Sequence, residues 1–216
     1  MADNITSTLG ELQEIGVFSG LGDVYIAFLT SKGDKTTAPT YKTPILAAEG
    51  IRVTLTPSYA EGSLSASNRT IRKIKILKSV GVSLEYPRIK ADVLAALHGQ
   101  TIDKNGGEAV GDATPADIAL GIKATRDDGT CVLRWLFCGK LTEGNNEHET
   151  EEDGQINYGT PTLEGDFVPL PYEQIANGKA IHVIQYKADT ASAACKWTED
   201  KFFEAVAGPW STAISG

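Results

Sequence analysis

Alternating apolar and polar residues predict a mainly β chain, a β-sandwich or barrel of two packed sheets with one short α-helix on its flank. Three observations carry that reading. Ile74, Ile76, Val80, Val82, Leu84 and Tyr86 share one parity, against Lys73, Lys75, Ser79, Ser83 and Glu85 on the other. The runs Asp117–Arg126 and Cys131–Leu141 flank Asp127-Asp128-Gly129, a hairpin turn sequence. Only one segment changes to a helical period: Ile89, Val93, Leu94 and Leu97 lie on one face, and Gly99 sits where a helix ends.

In chain order, residues 1–22 are polar, carry Gly10, Gly16, Gly20 and Gly22, and read as an N-terminal arm. A β domain spans 23–206, and 207–216 form a C-terminal tail. Val24–Thr30 is rich in β-branched and aromatic residues and predicts the first strand. Residues 31–44, with Gly33, Pro39 and Pro44, predict a long loop. Ile51–Thr56 alternates and is expected to stop at Pro57. The stretch 74–86 would reach roughly 43 Å at about 3.3 Å per residue, so it wraps a large sheet or extends past the body. Lys78 breaks its alternation and Leu77 compensates, which predicts a bulge near 77–79. Cys131–Leu141 is apolar on both faces except at Arg134, so both faces should be covered. Ile156–Phe167 and Ala180–Tyr186 complete seven or so strands. The segment from Lys196 to Val206 is amphipathic or partly extended.

A chain of 216 residues suits one domain with arms. Its formal charge of −8 argues against holding nucleic acid through phosphate neutralisation or docking on an anionic membrane. Cys131, Cys138 and Cys195 are odd in number and lack C-x-x-C spacing, so they read as core thiols of a reduced compartment. The first sixteen residues have neither an apolar run nor a basic region, so no signal peptide is expected.

The residues offer little chemistry. Glu147, His148, Glu149, Glu151, Glu152 and Asp153 crowd one segment, but no second histidine completes H-E-x-x-H, and calcium-loop spacing is missing. No G-x-S-x-G or phosphate-binding glycine motif occurs. Neither catalytic, metal nor cofactor residues are therefore assigned. The acidic segment from Glu143 to Asp153 reads as a solvated connection between two strands. Trp197, Phe202 and Phe203 form a candidate C-terminal anchor, on this domain or a neighbour.

The order of motifs resembles a known family. Gly22-Asp23-Val24-Tyr25-Ile26-Ala27 opens a first strand. Tyr41-Lys42-Thr43-Pro44 leads into Gly50-Ile51-Arg52-Val53-Thr54-Leu55-Thr56-Pro57. A long strand ends at Tyr86-Pro87, and Ala119-Leu120-Gly121-Ile122 precedes Asp128-Gly129. Thr160-Pro161-Thr162-Leu163-Glu164-Gly165 follows the acidic stretch. Together these resemble the major tail protein, or tail tube subunit, family of long-tailed bacteriophages with non-contractile tails, over roughly residues 22 to 206. Asn68–Lys73 departs from it, being basic where the family is often glycine-rich.

The resemblance implies a tail tube-like fold and a structural virion protein, not an enzyme, without cofactors. Hexameric rings would join their inner sheets into a continuous β-barrel and stack into a conduit for DNA ejection. Partners would be the chain itself and the tail terminator, tape measure and tail-tip proteins. DNA would pass without specific binding, and no membrane is involved. Localisation would be the virion tail, with assembly in the host cytoplasm. Glu143, Glu147, Glu149, Glu151, Glu152 and Asp153 would reach the bore or the next ring. Ile74, Ile76, Val80, Val82, Leu84 and Tyr86 would form an inter-subunit strand. Two alternatives stand beside this: a monomeric β-sandwich binding module for carbohydrate or protein, such as a baseplate or tail-tip component, and a hydrolase on a β scaffold.

Overall fold

In a computed structural model the described residues are 16–66, 69–144, 160–176 and 178–211. They form a mainly β chain. A nine-stranded antiparallel sheet dominates, joined by a two-stranded hairpin and two short helices. The strands are β1 (Phe18–Ser31), β2 (Thr40–Tyr41), β3 (Ile45–Glu49), β4 (Arg52–Ala66), β5 (Arg69–Glu85), β6 (Ile118–Arg126), β7 (Cys131–Glu143), β8 (Thr162–Phe167), β9 (Glu173–Ala176), β10 (Lys179–His182) and β11 (Gln185–Asp189). The helices are α1 (Ala91–Leu97) and α2 (Glu199–Glu204).

The main path runs β2-β1-β6-β7-β8-β5-β4, with β3 also on β1 and β11 also on β7. β7 is the hinge of this arrangement. Its Val132–Leu136 stretch pairs β11, while Gly139–Glu143 pairs β8. One long strand therefore belongs to both halves of the sheet, and the halves bury a common core. Val24 and Ile26 of β1 and Ile118, Leu120 and Ile122 of β6 meet Val80, Val82 and Leu84 of β5 and Leu163 and Phe167 of β8. Leu97 of α1 belongs to the same core. On the other side of β6 and β7, Leu133, Trp135 and Phe137 meet Phe202, Phe203, Val206 and Ala207 from the C-terminal segment. The expectation that Cys131–Leu141 is covered on both faces holds for this reason.

Several boundaries differ from those expected, each for a physical reason. β1 begins at Phe18, so 18–22 belong to the sheet and not to an arm. Irregular register there lets Phe18, Gly20 and Leu21 pair with β6. The amides of Gly16 and Val17 donate to the Asp128 and Asp127 carboxylates at the hairpin turn. Residues 1–15 of the expected arm lie outside the described residues. The loop expected over 31–44 contains β2, and β3 directly follows it.

β4 does not stop at Pro57, which lies opposite Val80. β4 is the terminal strand of the sheet, and an edge strand tolerates proline because alternate amides point away from its only neighbour. The run expected at Ala180–Tyr186 is two strands, because Val183 and Ile184 turn into the cores between them. β8 begins at Thr162, so the described residues Thr160 and Pro161 of the expected Ile156–Phe167 run are not strand, and 156–159 lie outside the described residues. The described part of the expected tail is built in: Trp210 meets the Phe137 ring at 4.7 Å.

Candidate functional site

The hairpin of β4 and β5 reaches beyond its neighbours in the sheet. β5 pairs β8 only from Val80 to Glu85, whereas it pairs β4 from Arg69 to Glu85. Among the described residues, 69–79 of β5 therefore have β4 as their one strand neighbour, and the two run on as a ribbon past the body. About eleven residues at 3.3 Å correspond to roughly 36 Å. A two-stranded ribbon is marginal in water without further contacts.

A bulge decides which side chains face where. Ser58 pairs Ser79 but Tyr59 pairs Leu77, leaving Lys78 as the extra residue. Parity on β5 reverses there. Val80, Val82 and Leu84 point into the core opposite Pro57, Leu55 and Val53. Beyond the bulge, Leu77 and Lys75 continue that face, and Ile76 and Ile74 point the other way, opposite Ala60 and Gly62. The expected inter-subunit strand is thus split. Val80, Val82, Leu84 and Tyr86 are buried within the chain, while Ile74 is 45% and Ile76 62% exposed. Across the ribbon, Tyr59 is 47% exposed. The Lys75 ammonium stands 4.7 Å from the Tyr59 ring centroid and 3.0 Å from the Glu61 carboxylate.

Below the ribbon, β4, β5, β8 and the end of β7 present a polar face. Thr56, Gly81, Ser83, Thr142, Glu164 and Asp166 line a shallow trough of about 390 Å³. Gly165 is required where the strands meet, since a Cβ would collide with the Lys140 carbonyl. Backbone cannot yield as a side-chain tip can. Gly165→Ala is therefore expected to cost ~2 kcal/mol, lowering the thermal midpoint by about 6 °C. An unchanged midpoint would show that β7 and β8 can part without cost.

Both lateral edges of this four-stranded unit lack a strand partner among the described residues. β4 is terminal on one side. On the other, β6 ends its pairing with β7 at Ile118–Gly139, so Lys140–Glu143 pair β8 alone.

The remaining candidates fall in different places. Glu143 is exposed at the end of β7. Glu147, Glu149, Glu151, Glu152 and Asp153 lie outside the described residues, as does His148. Trp197, Phe202 and Phe203 anchor on their own domain. Phe203 stacks on Tyr25 with centroids 4.2 Å apart, and the Trp135 indole donates to the Phe202 carbonyl at 2.9 Å. Among the described residues, no three His, Cys, Asp or Glu side chains gather to hold a metal ion. No described helix is long and apolar enough to cross a membrane.

Two polar contacts escape sequence reasoning. The Tyr41 hydroxyl donates to the Phe137 carbonyl at 2.9 Å, and burial pushes its pKa up. Arg126, only 7% exposed, donates through both terminal nitrogens to Asp189 at 2.8 and 2.7 Å. An arginine ending one strand and an aspartate ending another carry no local signal that they meet.

No family model matches the chain, and no curated protein matches it. Among solved structures, the chain is similar to a chain in a cryo-EM structure of the anti-feeding prophage baseplate, symmetrised six-fold. Identity is 10%, the likeness covers 80% of this chain and 97% of that chain, and the TM-score is 0.34.

Proposed function

We propose that this chain is a structural subunit of a bacteriophage tail that joins with copies of itself into rings, and that the rings stack into the tail tube. The observation that carries this reading is the four-stranded unit β7-β8-β5-β4 with both edges unpartnered among the described residues. Exposed strand edges are templates for further pairing, and proteins that stay monomeric usually blunt them. Here β4 runs fifteen residues and continues into a ribbon bearing Tyr59, Ile74 and Ile76. Two unlike edges on one unit support head-to-tail contacts, which close into a ring when the rotation per copy allows. In such a ring β4 of one copy meets Lys140–Glu143 of the next.

The polar face then lines the bore. It carries Glu164 and Asp166 among Thr and Ser side chains, and Arg52 at its margin is paired with Glu85. A DNA phosphate finds little there to exchange for its counterions, so the strand slides. The ribbons project from each ring toward the next.

Sedimentation velocity over a range of concentrations, followed by negative-stain imaging of the concentrated protein, tests the reading. Ring-sized species growing into hollow rods are expected. A chain that stays monomeric at high concentration would overturn the proposal and leave the binding-module alternative.

A further inference from the structure

A further open edge lies on the opposite flank of β7, along β11, and its chemistry differs from that of the ribbon. The Phe137 amide donates to the Ile184 carbonyl at 3.0 Å and the Thr190 amide to the Cys131 carbonyl at 3.0 Å. With Gln185 to Asp189 registered on Leu136 to Val132, the even residues of β11 exchange bonds with β7. The amides and carbonyls of Gln185, Lys187 and Asp189 must then point away from it. Ser192 takes the Asp189 carbonyl at 3.1 Å. The Lys187 backbone has no partner among the described residues. Beside it the chain turns back and leaves a cleft of about 560 Å³, lined by Tyr186, Lys187, Ser192, Cys195, Lys196 and Trp197.

The two cations at this edge form no ion pair among the described residues. Lys187 lies directly opposite Arg134 in a non-hydrogen-bonded pair, where side chains come closest. Like charges in that position destabilise a sheet. Among the described residues, Arg134 donates to the Gln185 amide oxygen at 3.1 Å and reaches no carboxylate. Burial presses its guanidinium below its ordinary pKa. Lys187 forms no ion pair among the described residues. Asp189, the acid on the same strand, is held by Arg126. Among the described residues the two cations have no paired acid, and on a chain of net charge −8 they offer an acidic partner a complementary site.

We infer that β11 is the docking edge for an extended acidic peptide segment of a partner protein, which adds as a further strand beside Lys187 and sets carboxylates against Arg134 and Lys187. Alternate side chains of an added strand share one face, so acids at every second position meet the pair. Lys196 stands at the rim of the same cleft. The inference does not depend on ring formation.

The test is amide NMR of the full chain at low protein concentration. The probe is an acetylated peptide alternating glutamate with valine. The Lys187 signal is expected to shift and its hydrogen exchange to slow, with binding weakened by salt. Lys187→Glu should reduce affinity at least tenfold, and Lys187→Gln should fall between; Lys187 is exposed, so a thermal scan checks that both fold. No shift at Lys187 overturns the inference. So does equal binding by a peptide with lysine for glutamate, or by one N-methylated along one edge. Equal binding by a single-stranded oligonucleotide would overturn it too, by showing a polyanion site without strand addition.

Discussion

A chain in which residues 59–78 are replaced by Asn-Gly is expected to fold and to lose assembly. Ser58 and Ser79 are paired, so a two-residue turn closes the shortened hairpin just above the body. The core residues Val80, Val82 and Leu84 remain, and only Leu77 is lost from the margin of the core. Removing that half-buried leucine costs about 1 kcal/mol, which leaves the thermal midpoint within a few degrees. Association loses much more. Tyr59, Ile74 and Ile76 are each about half exposed in the single chain. Covering what remains is worth about 1 kcal/mol apiece, so three such residues represent a change of more than a hundredfold in the association constant. The backbone edges they accompany go with them. Sedimentation and imaging of the shortened chain decide the matter. Rods that form as readily as from the intact chain would show that the ribbon takes no part in assembly.

Asp189→Asn is expected to destabilise the single chain. It leaves the Arg126 guanidinium nearly buried without its carboxylate, and breaking a buried pair from one side costs more than the pair contributes. Asp189 keeps some contact with solvent, its side chain being 32% exposed. We therefore expect a loss of ~2 kcal/mol, below the full range for buried pairs, or about 6 °C. The same contact sets a pH dependence. The hydrogen bonds from Arg126 hold the Asp189 carboxyl below its usual range. An acid that ionises more readily when folded contributes fully above its unfolded pKa, about 4. That contribution is lost as pH falls through the lower folded value. Thermal scans from pH 7 downward should show the native chain approaching Asp189→Asn in stability as this limb is lost. Parallel curves at every pH would mean that the ion pair contributes nothing to folding.

How much of this was legible in the residues depends on the range over which each feature is specified. The β class, the hairpin at Asp127-Asp128-Gly129, the short helix ending before Gly99 and the bulge near Lys78 were readable, because alternation, turn chemistry and period are local. That one strand is overlong, wrapping a large sheet or running past the body, was readable for the same reason: thirteen alternating residues exceed the usual strand length. The helix after Thr198 and the strand at Ile45–Glu49 were not, since both are short and owe their form to the surfaces they cover.

Local patterning establishes a β chain of acidic charge, with one overlong strand and apolar runs fit for a two-sided core. Where those runs point follows from packing between distant segments. Ile76 and Val82 share a parity in the chain but face opposite ways, because one extra residue at the bulge reverses the alternation. Trp197, Phe202 and Phe203 could have anchored a neighbour, yet they close the core over Trp135. Which strand edges remain unpaired is likewise a property of the whole sheet. It depends on where each neighbour ends, and no residue along the edge carries that information locally.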